Sequence, residues 1–190
     1  LDKPTKGSFL LNGEDIAKCS ENEMSDLRLK TIGFVFQSFH LLPRQSALTN
    51  VELPLNYAKI PKKERRERAF KALERVGLAD RVNFKPNQLS GGQRQRIIIA
   101  RCLVVTPKII FADEPISALD VSLQAQVINM LMDLQDKYKL SMLLIAHDLA
   151  VVRQIADQIK IMYFGEIVES APSSEIYKNA QHPYTKVLLK

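Results

Sequence analysis

Apolar residues in this chain come in short blocks that stop at polar or charged ones. Ile32-Gly33-Phe34-Val35-Phe36 runs into Gln37, Ile109-Ile110-Phe111-Ala112 into Asp113-Glu114, and Met142-Leu143-Leu144-Ile145-Ala146 into His147-Asp148. Short continuous runs of this kind predict buried strands of a parallel sheet. Acids at their C-terminal ends stand where ligands sit in open α/β sheets. From Lys108 onward the pattern alternates: strand 108–112, helix 121–138, strand 141–146, helix 149–156, strand 158–164. Such a βαβ series implies a mainly parallel sheet.

The remaining elements are read the same way. Residues 7–11 predict a strand, Asn12-Gly13 a turn, and Ser25 to Lys30 a short helix. Residues 37–88 contain no strong strand. Leu48 to Leu55 and a helix led by Pro61 make this stretch a helical insert. Phe70, Leu73 and Val76 give the second helix its apolar stripe, and Gly77 stops it. After Gly165, the segment Glu166-Ile167-Val168 leads to short helices near 173–178 and 183–190.

Between the insert and the second block lies Leu89-Ser90-Gly91-Gly92-Gln93, which opens the apolar helix Ile97 to Val104. Ser90 suits an N-cap, because its hydroxyl can accept a bond from a first-turn N–H. Two glycines behind it allow close approach of a ligand, and a helix N-terminus favours an anion. Ser-Gly-Gly is also an ordinary loop-to-helix junction. The carboxylates after the second block could equally cap a helix, and a lone histidine is more often structural than catalytic.

Composition narrows the choice. With 46% hydrophobic and 25% charged residues, the 190-residue chain can bury a sizeable core. No apolar run approaches the ~20 residues of a membrane span. The segment Leu1 to Lys6 is polar, without the apolar stretch of a signal peptide, so a cytoplasmic location is expected. Cys19 and Cys102 suggest neither a disulfide framework nor a metal site, and Cys102 reads as core packing. The net charge is +6. Its densest cluster, Lys62 to Arg68, has acids interleaved and reads as the solvated face of a surface helix. No nucleic-acid-binding motif accompanies it, so no nucleic-acid partner is expected.

Taken together, the blocks resemble the ATP-binding subunits of ABC transporters. Leu89 to Gln93 is similar to that family's signature motif. Ile109 to Glu114 is similar to the Walker B strand with its catalytic glutamate, and Ser117-Ala118-Leu119-Asp120 to the D-loop. His147 stands at the switch histidine and Gln37 at the Q-loop glutamine. The resemblance implies a P-loop NTPase-like (RecA-like) α/β fold. In it, 1–36 and 89–164 form the sheet core, 37–88 the helical subdomain and 165–190 a C-terminal extension.

The family's chemistry implies ATP and Mg²⁺ as cofactors. Asp113 and Gln37 are then expected at the metal. Glu114 would act as general base, and His147 would stand at the γ-phosphate. Ser90, Gly91, Gly92 and Gln93 would clamp the ATP of the opposite subunit, with Asp120 at the interface. The implied partners are transmembrane permease subunits and a second ATP-binding subunit, like or unlike, at the cytoplasmic face of the cell membrane.

One family element has no counterpart. None of the seven glycines, at 7, 13, 33, 77, 91, 92 and 165, fits the P-loop pattern Gly-x-x-x-x-Gly-Lys-Ser/Thr. The resemblance places that loop, with the first strands, upstream of Leu1. The expectation is a fragment or truncated frame, inactive by itself, with an unpaired strand edge. The alternative is an ABC-fold module without ATPase activity of its own. A DNA-repair relative of the family would need a heptad coiled coil before the signature, and a translation relative would need two cassettes; this chain has neither.

Two transporter types are mixed in the text. Ile32 to Pro43, Asn50 to Leu55 and Lys85 to Gln88 resemble lipoprotein-release and macrolide-export ATPases. Ile116 to Val127, Ala146 to Arg153 and His182 to Thr185 resemble oligopeptide and dipeptide importers.

Overall fold

The computed structural model describes residues 5–11 and 13–189. The readings made on Leu1 to Pro4, and on Asn12 in the first turn, lie outside the described residues. Strands β3 (Ile32–Phe36), β4 (Ile109–Asp113) and β5 (Ser141–Ile145) form a parallel sheet in that spatial order. All three lie where the apolar blocks predicted them. No strand covers the outer edge of β3 or of β5 among the described residues.

Helices pack around this sheet. α1 spans Glu21–Thr31 and leads straight into β3. It starts four residues earlier than the expected Ser25. The cause is a reciprocal cap: Glu23 N donates to Ser20 Oγ at 3.3 Å, and Ser20 N to Glu23 Oε2 at 2.8 Å. The helical insert contains α2 (Ala47–Tyr57) and α3 (Lys62–Arg75), and α3 ends at Gly77 with φ +72°. α4 (Gly91–Leu103) runs through the centre. Its Ile97, Ile98 and Ile99 are fully buried between α2, α3 and the sheet. Three isoleucines in a row span about 200° of the helix surface, so α4 packs on both halves of the core. α5 (Val121–Tyr138) and α6 (Leu149–Ile155) follow β4 and β5 as predicted.

Two features differ from the sequence reading. The strand expected over 7–11 is only β1 (Leu10–Leu11), paired antiparallel with β2 (Glu14–Asp15). Only Leu11 is buried there, too little apolar surface to hold a longer strand. The strand expected at 158–164 forms as β6 (Gln158–Tyr163), but it pairs antiparallel with β7 (Glu166–Pro172) and stays out of the parallel sheet. The link Phe164-Gly165 has φ +46° and +86°. Two consecutive positive φ values fit a tight hairpin turn, which makes the partner local. Ile159 and Ile161 of β6 bury against Ile176 of α7 (Ser173–Asn179), and α8 (Pro183–Leu188) closes the chain.

Candidate active site

Sheet register builds the site. Phe36, Asp113 and Ile145 stand in one row across the C-terminal ends of β3, β4 and β5. The residues that follow, Gln37, Glu114 and Ala146-His147, therefore leave the sheet along the same edge. Glu114 N donates to Ile145 O at 2.8 Å, extending the ladder one step. Glu114 then takes φ +45°, a conformation rare for a residue with a Cβ. Its carbonyl is held by Ser117 Oγ at 3.1 Å, and its Oε1 lies 3.0 Å from His147 Nδ1. The glutamate is half-buried and the histidine exposed, so the pair opens toward solvent. Asp113 and Gln37 are exposed as well.

The second group sits at the starts of α4 and α5. Ser90 caps α4: Gln93 N donates to Ser90 Oγ at 3.3 Å, and Ser90 N to Gln93 Oε1 at 3.0 Å. The cap predicted for Ser90 is thus present, and Gln93 completes it. Asp120 stands at the N-cap of α5 without a side-chain cap bond. The glycines also have a packing role. A Cβ on Gly91 would stand 3.3 Å from Leu119 Cδ2, and one on Gly92 3.2 Å from Leu123 Cδ2. These contacts press the signature turn against the Ser117–Asp120 loop and the start of α5. Gln37, Asp113, Glu114 and His147 share the sheet edge. Among the described residues no hydrogen bond joins Ser90 or Gln93 to Glu114 or His147.

Residues that sequence reasoning passed over connect the two groups. Gln95 is buried, and its Nε2 donates to Pro115 O at 2.5 Å. This ties α4 to the turn immediately after Glu114. A signal existed: Gln95 stands three and four residues before Ile98 and Ile99, on the face that they bury. Arg94 stacks over Phe39, and Arg101 Nη1 donates to His40 O at 2.9 Å. Buried Asn50 accepts Leu42 N at 2.7 Å and donates to the carbonyls of Leu42, Gln45 and Ser46.

A three-stranded parallel sheet with carboxylates and a histidine on its C-terminal edge, together with a capped glycine-rich helix start, fits the ATP-binding cassette that the motifs resemble. The family described as ABC transporter matches residues 1–117, and the chain belongs to it. The fold is similar to that of the ATP-binding cassette MJ0796 in a dimeric post-hydrolysis state bound to ADP and Pi. That match has a TM-score of 0.78 and 36% identity, over 90% of this chain and 75% of that one.

Among curated relatives, an uncharacterised ABC transporter ATP-binding protein of Bacillus subtilis, YvrO, is 49% identical over 168 residues, covering 88% of this chain and 72% of the relative. The dipeptide transport ATP-binding protein DppF of Haemophilus influenzae is 46% identical, and the oligopeptide transport ATP-binding protein AppF of Bacillus subtilis 45%, each over the whole chain. The chain spans 59% of the length of each of these two. Among the described residues, no helix is long and apolar enough to cross a membrane.

Proposed function

We propose that this chain supplies the hydrolytic half of an ATPase subunit that drives peptide uptake through separate transmembrane permease subunits. The carrying observation is the meeting of Gln37, Asp113, Glu114 and His147 on one sheet edge, with Glu114 bonded to His147. Phosphoryl transfer to water needs a neutralised γ-phosphate, a fixed geometry and an aligned water. Glu114 takes the proton of that water as general base. Its bond to His147 Nδ1 orients the carboxylate, and the γ-phosphate accepts from Nε2 when that nitrogen carries a proton as well.

Asp113 and Gln37 would hold Mg²⁺, whose charge offsets that of the phosphates. Two oxygen donors suit this ion, which usually keeps water and phosphate ligands. Among the described residues no cluster of three or more His, Cys, Asp or Glu side chains forms a cage of its own. An ion carried in with the nucleotide fits that arrangement.

Ser90 to Gln93 clamp the γ-phosphate of ATP on a second, like or unlike, ATP-binding subunit, and Asp120 lies at that interface. The dipole and free N–H groups at the start of the 13-residue α4 favour such an anion. Peptide as cargo is supported by the dipeptide and oligopeptide transport relatives, and import by relatives of Brucella named putative peptide import ATP-binding proteins. The working place is then the cytoplasmic face of the membrane.

The 190 residues contain no Gly-x-x-x-x-Gly-Lys-Ser/Thr stretch to cradle the β- and γ-phosphates. Mg-ATP binding by calorimetry is therefore measured on this chain and on a version extended at its N-terminus by a strand, such a loop and a helix. Binding by the extended form alone is expected, with turnover falling roughly 10²–10⁴-fold in Glu114→Gln. Binding by neither form would sink the proposal and leave an ABC-fold module without ATPase activity. Tight binding by the 190 residues themselves would assign the phosphates to other side chains.

A further inference from the structure

The C-terminal unit of β6, β7, α7 and α8 packs on Leu149, Val152 and Ala156 of the α6 segment, and a cavity of about 480 Å³ opens beside that junction. Its walls include Arg153 of α6, Asp157 just past that helix, and Ser173, Ser174, Tyr177 and Lys178 of α7. Tyr177 holds the two helices together. Its hydroxyl donates to Leu149 O at the start of α6, and the Arg153 guanidinium lies over its ring, 5.1 Å from Cζ to the centroid.

That stack leaves the N–H groups of Arg153 free. Among the described residues, the side chains of Arg153, Lys178, Ser173 and Ser174 make no hydrogen bond or ion pair, and Asp157 pairs with neither cation. The cavity therefore sets two cations and two hydroxyls against one carboxylate. The backbone at the start of α7 is partly taken already, because Ser173 N donates to Asp157 O at 2.9 Å. Recognition at this place falls to the side chains.

We infer that the cavity binds a small phosphomonoester, with its phosphate between Arg153 and Lys178. A guanidinium fork and an ammonium hold phosphate oxygens through charge-assisted bonds, and the serine hydroxyls can donate to the oxygens that remain. The volume falls within the roughly 300–1,000 Å³ of small-molecule sites, which leaves room for an organic group beside the anion. Asp157 repels a phosphate and accepts from hydroxyls, so the organic group with its hydroxyls belongs on that side. The ligand would bridge α6 and α7. None of these side chains stands on the edge of Gln37, Asp113, Glu114 and His147, so the site does not rest on the proposed hydrolysis.

The test uses the whole 190-residue chain, labelled with ¹⁵N, and no nucleotide. Glucose 1-phosphate, inorganic phosphate and glucose are titrated separately at constant ionic strength while amide resonances are followed. Glucose 1-phosphate should shift the amides of Arg153, Asp157, Ser174 and Lys178 saturably, with a Kd of about 1 mM or below. Inorganic phosphate should bind the same place several-fold more weakly, and glucose should shift none of these amides. Arg153→Gln and Lys178→Gln should each weaken the ester about tenfold, the loss of one charge-assisted bond. Asp157→Asn should tighten inorganic phosphate about two- to fivefold, because for that probe only repulsion is removed.

Shifts that are absent at these amides, fail to saturate, or survive unchanged in both glutamine variants overturn the inference. So do shifts confined to Ser90 to Gln93, which would place the phosphate at the signature turn. Inorganic phosphate that binds as tightly as the ester would overturn the ester and leave a free-anion site. Lys178 is exposed, so its variant decides the matter if circular dichroism shows that loss of the Arg153 stack unfolds the chain. Because ATP never enters the assay, failure here leaves the proposed hydrolysis standing, and failure of ATP binding leaves this result standing.

Discussion

A Cβ built on Gly33 would stand 2.2 Å from the Sγ of Cys102. The strand that leads into Gln37 and the helix that Ser90 caps thus meet at a point where no side chain fits. Pro107 Cγ, at 3.1 Å, closes the remaining direction. Gly33→Ala should destabilise the fold by about 1–3 kcal/mol, the usual cost of overpacking a core. Cys102→Ala removes the sulfur, so the double variant should be more stable than the sum of the two single effects predicts. Chemical denaturation of the four chains checks this, and strict additivity would refute the contact.

Gln95 gives a second case in which one bond spans two parts of the site. Gln95→Leu keeps volume but leaves Pro115 O, buried after Glu114, without its donor. A loss of about 1–3 kcal/mol is expected, the cost of an unpaired buried polar group. Hydrogen exchange should rise at Ser117 and Leu119, whose amides shape that turn. Unchanged exchange there would show that the bond does not hold the turn.

Much of this site was legible in the sequence because its residues follow strands that announce themselves. Gln37, Asp113, Glu114 and His147 each come directly after a short apolar block, and parallel pairing of those blocks brings them to one edge. What could not be read is partnership across distance. The bond between Glu114 and His147 depends on a left-handed turn at Glu114, and no residue-type rule places a glutamate there. Arg94 and Arg101 were passed over, since nothing local tells a solvated arginine from one on Phe39 or His40. The start of α1 was legible but passed over: Ser20 and Glu23 have capping-box spacing, while the helix they open has little apolar pattern to draw attention. The partner of β6 was misassigned because a strand's own sequence does not say which neighbour it takes, and the Phe164-Gly165 turn decides it.

The two thiols should separate cleanly. Burial pushes the Cys102 thiol up to about 12, so at pH 8 it stays protonated and shielded. Cys19 is half-buried near the surface of the small β1–β2 region. Titration with a chromogenic disulfide at pH 8 should therefore count one thiol in the native chain and two after denaturation. Equal native rates for both would contradict the packing at Gly33.

Acid should loosen the C-terminal end first at one carboxylate. Backbone N–H groups of Gln181, at 2.8 Å, and His182, at 3.0 Å, donate to Glu169 and hold its pKa below the ordinary 4.5. A carboxylate lowered on folding stabilises the fold above its unfolded pKa. That contribution fades as pH falls through the lower folded value. Amide exchange at Gln181 and His182, corrected for intrinsic rates, should rise as pH drops below 4.5, and Glu169→Gln should show the faster exchange already at pH 7. Flat protection from pH 6 to 3 would remove Glu169 as the clasp of α8.

The pairing of Ile32 with Ile109 has one more consequence. Everything between Phe36 and Ile109, including α2, α3 and α4, leaves the sheet and returns to a neighbouring strand about 4.8 Å away. The excursion is a closed ring, and the entropy of closing a ring grows only with the logarithm of its length. Extra residues grafted at the exposed link Lys59, which already takes a left-handed φ of +57°, would lengthen the ring at small cost. The edge that carries Glu114 and His147 would not sense the graft, because its spacing is set by the strand pair that seals the ring.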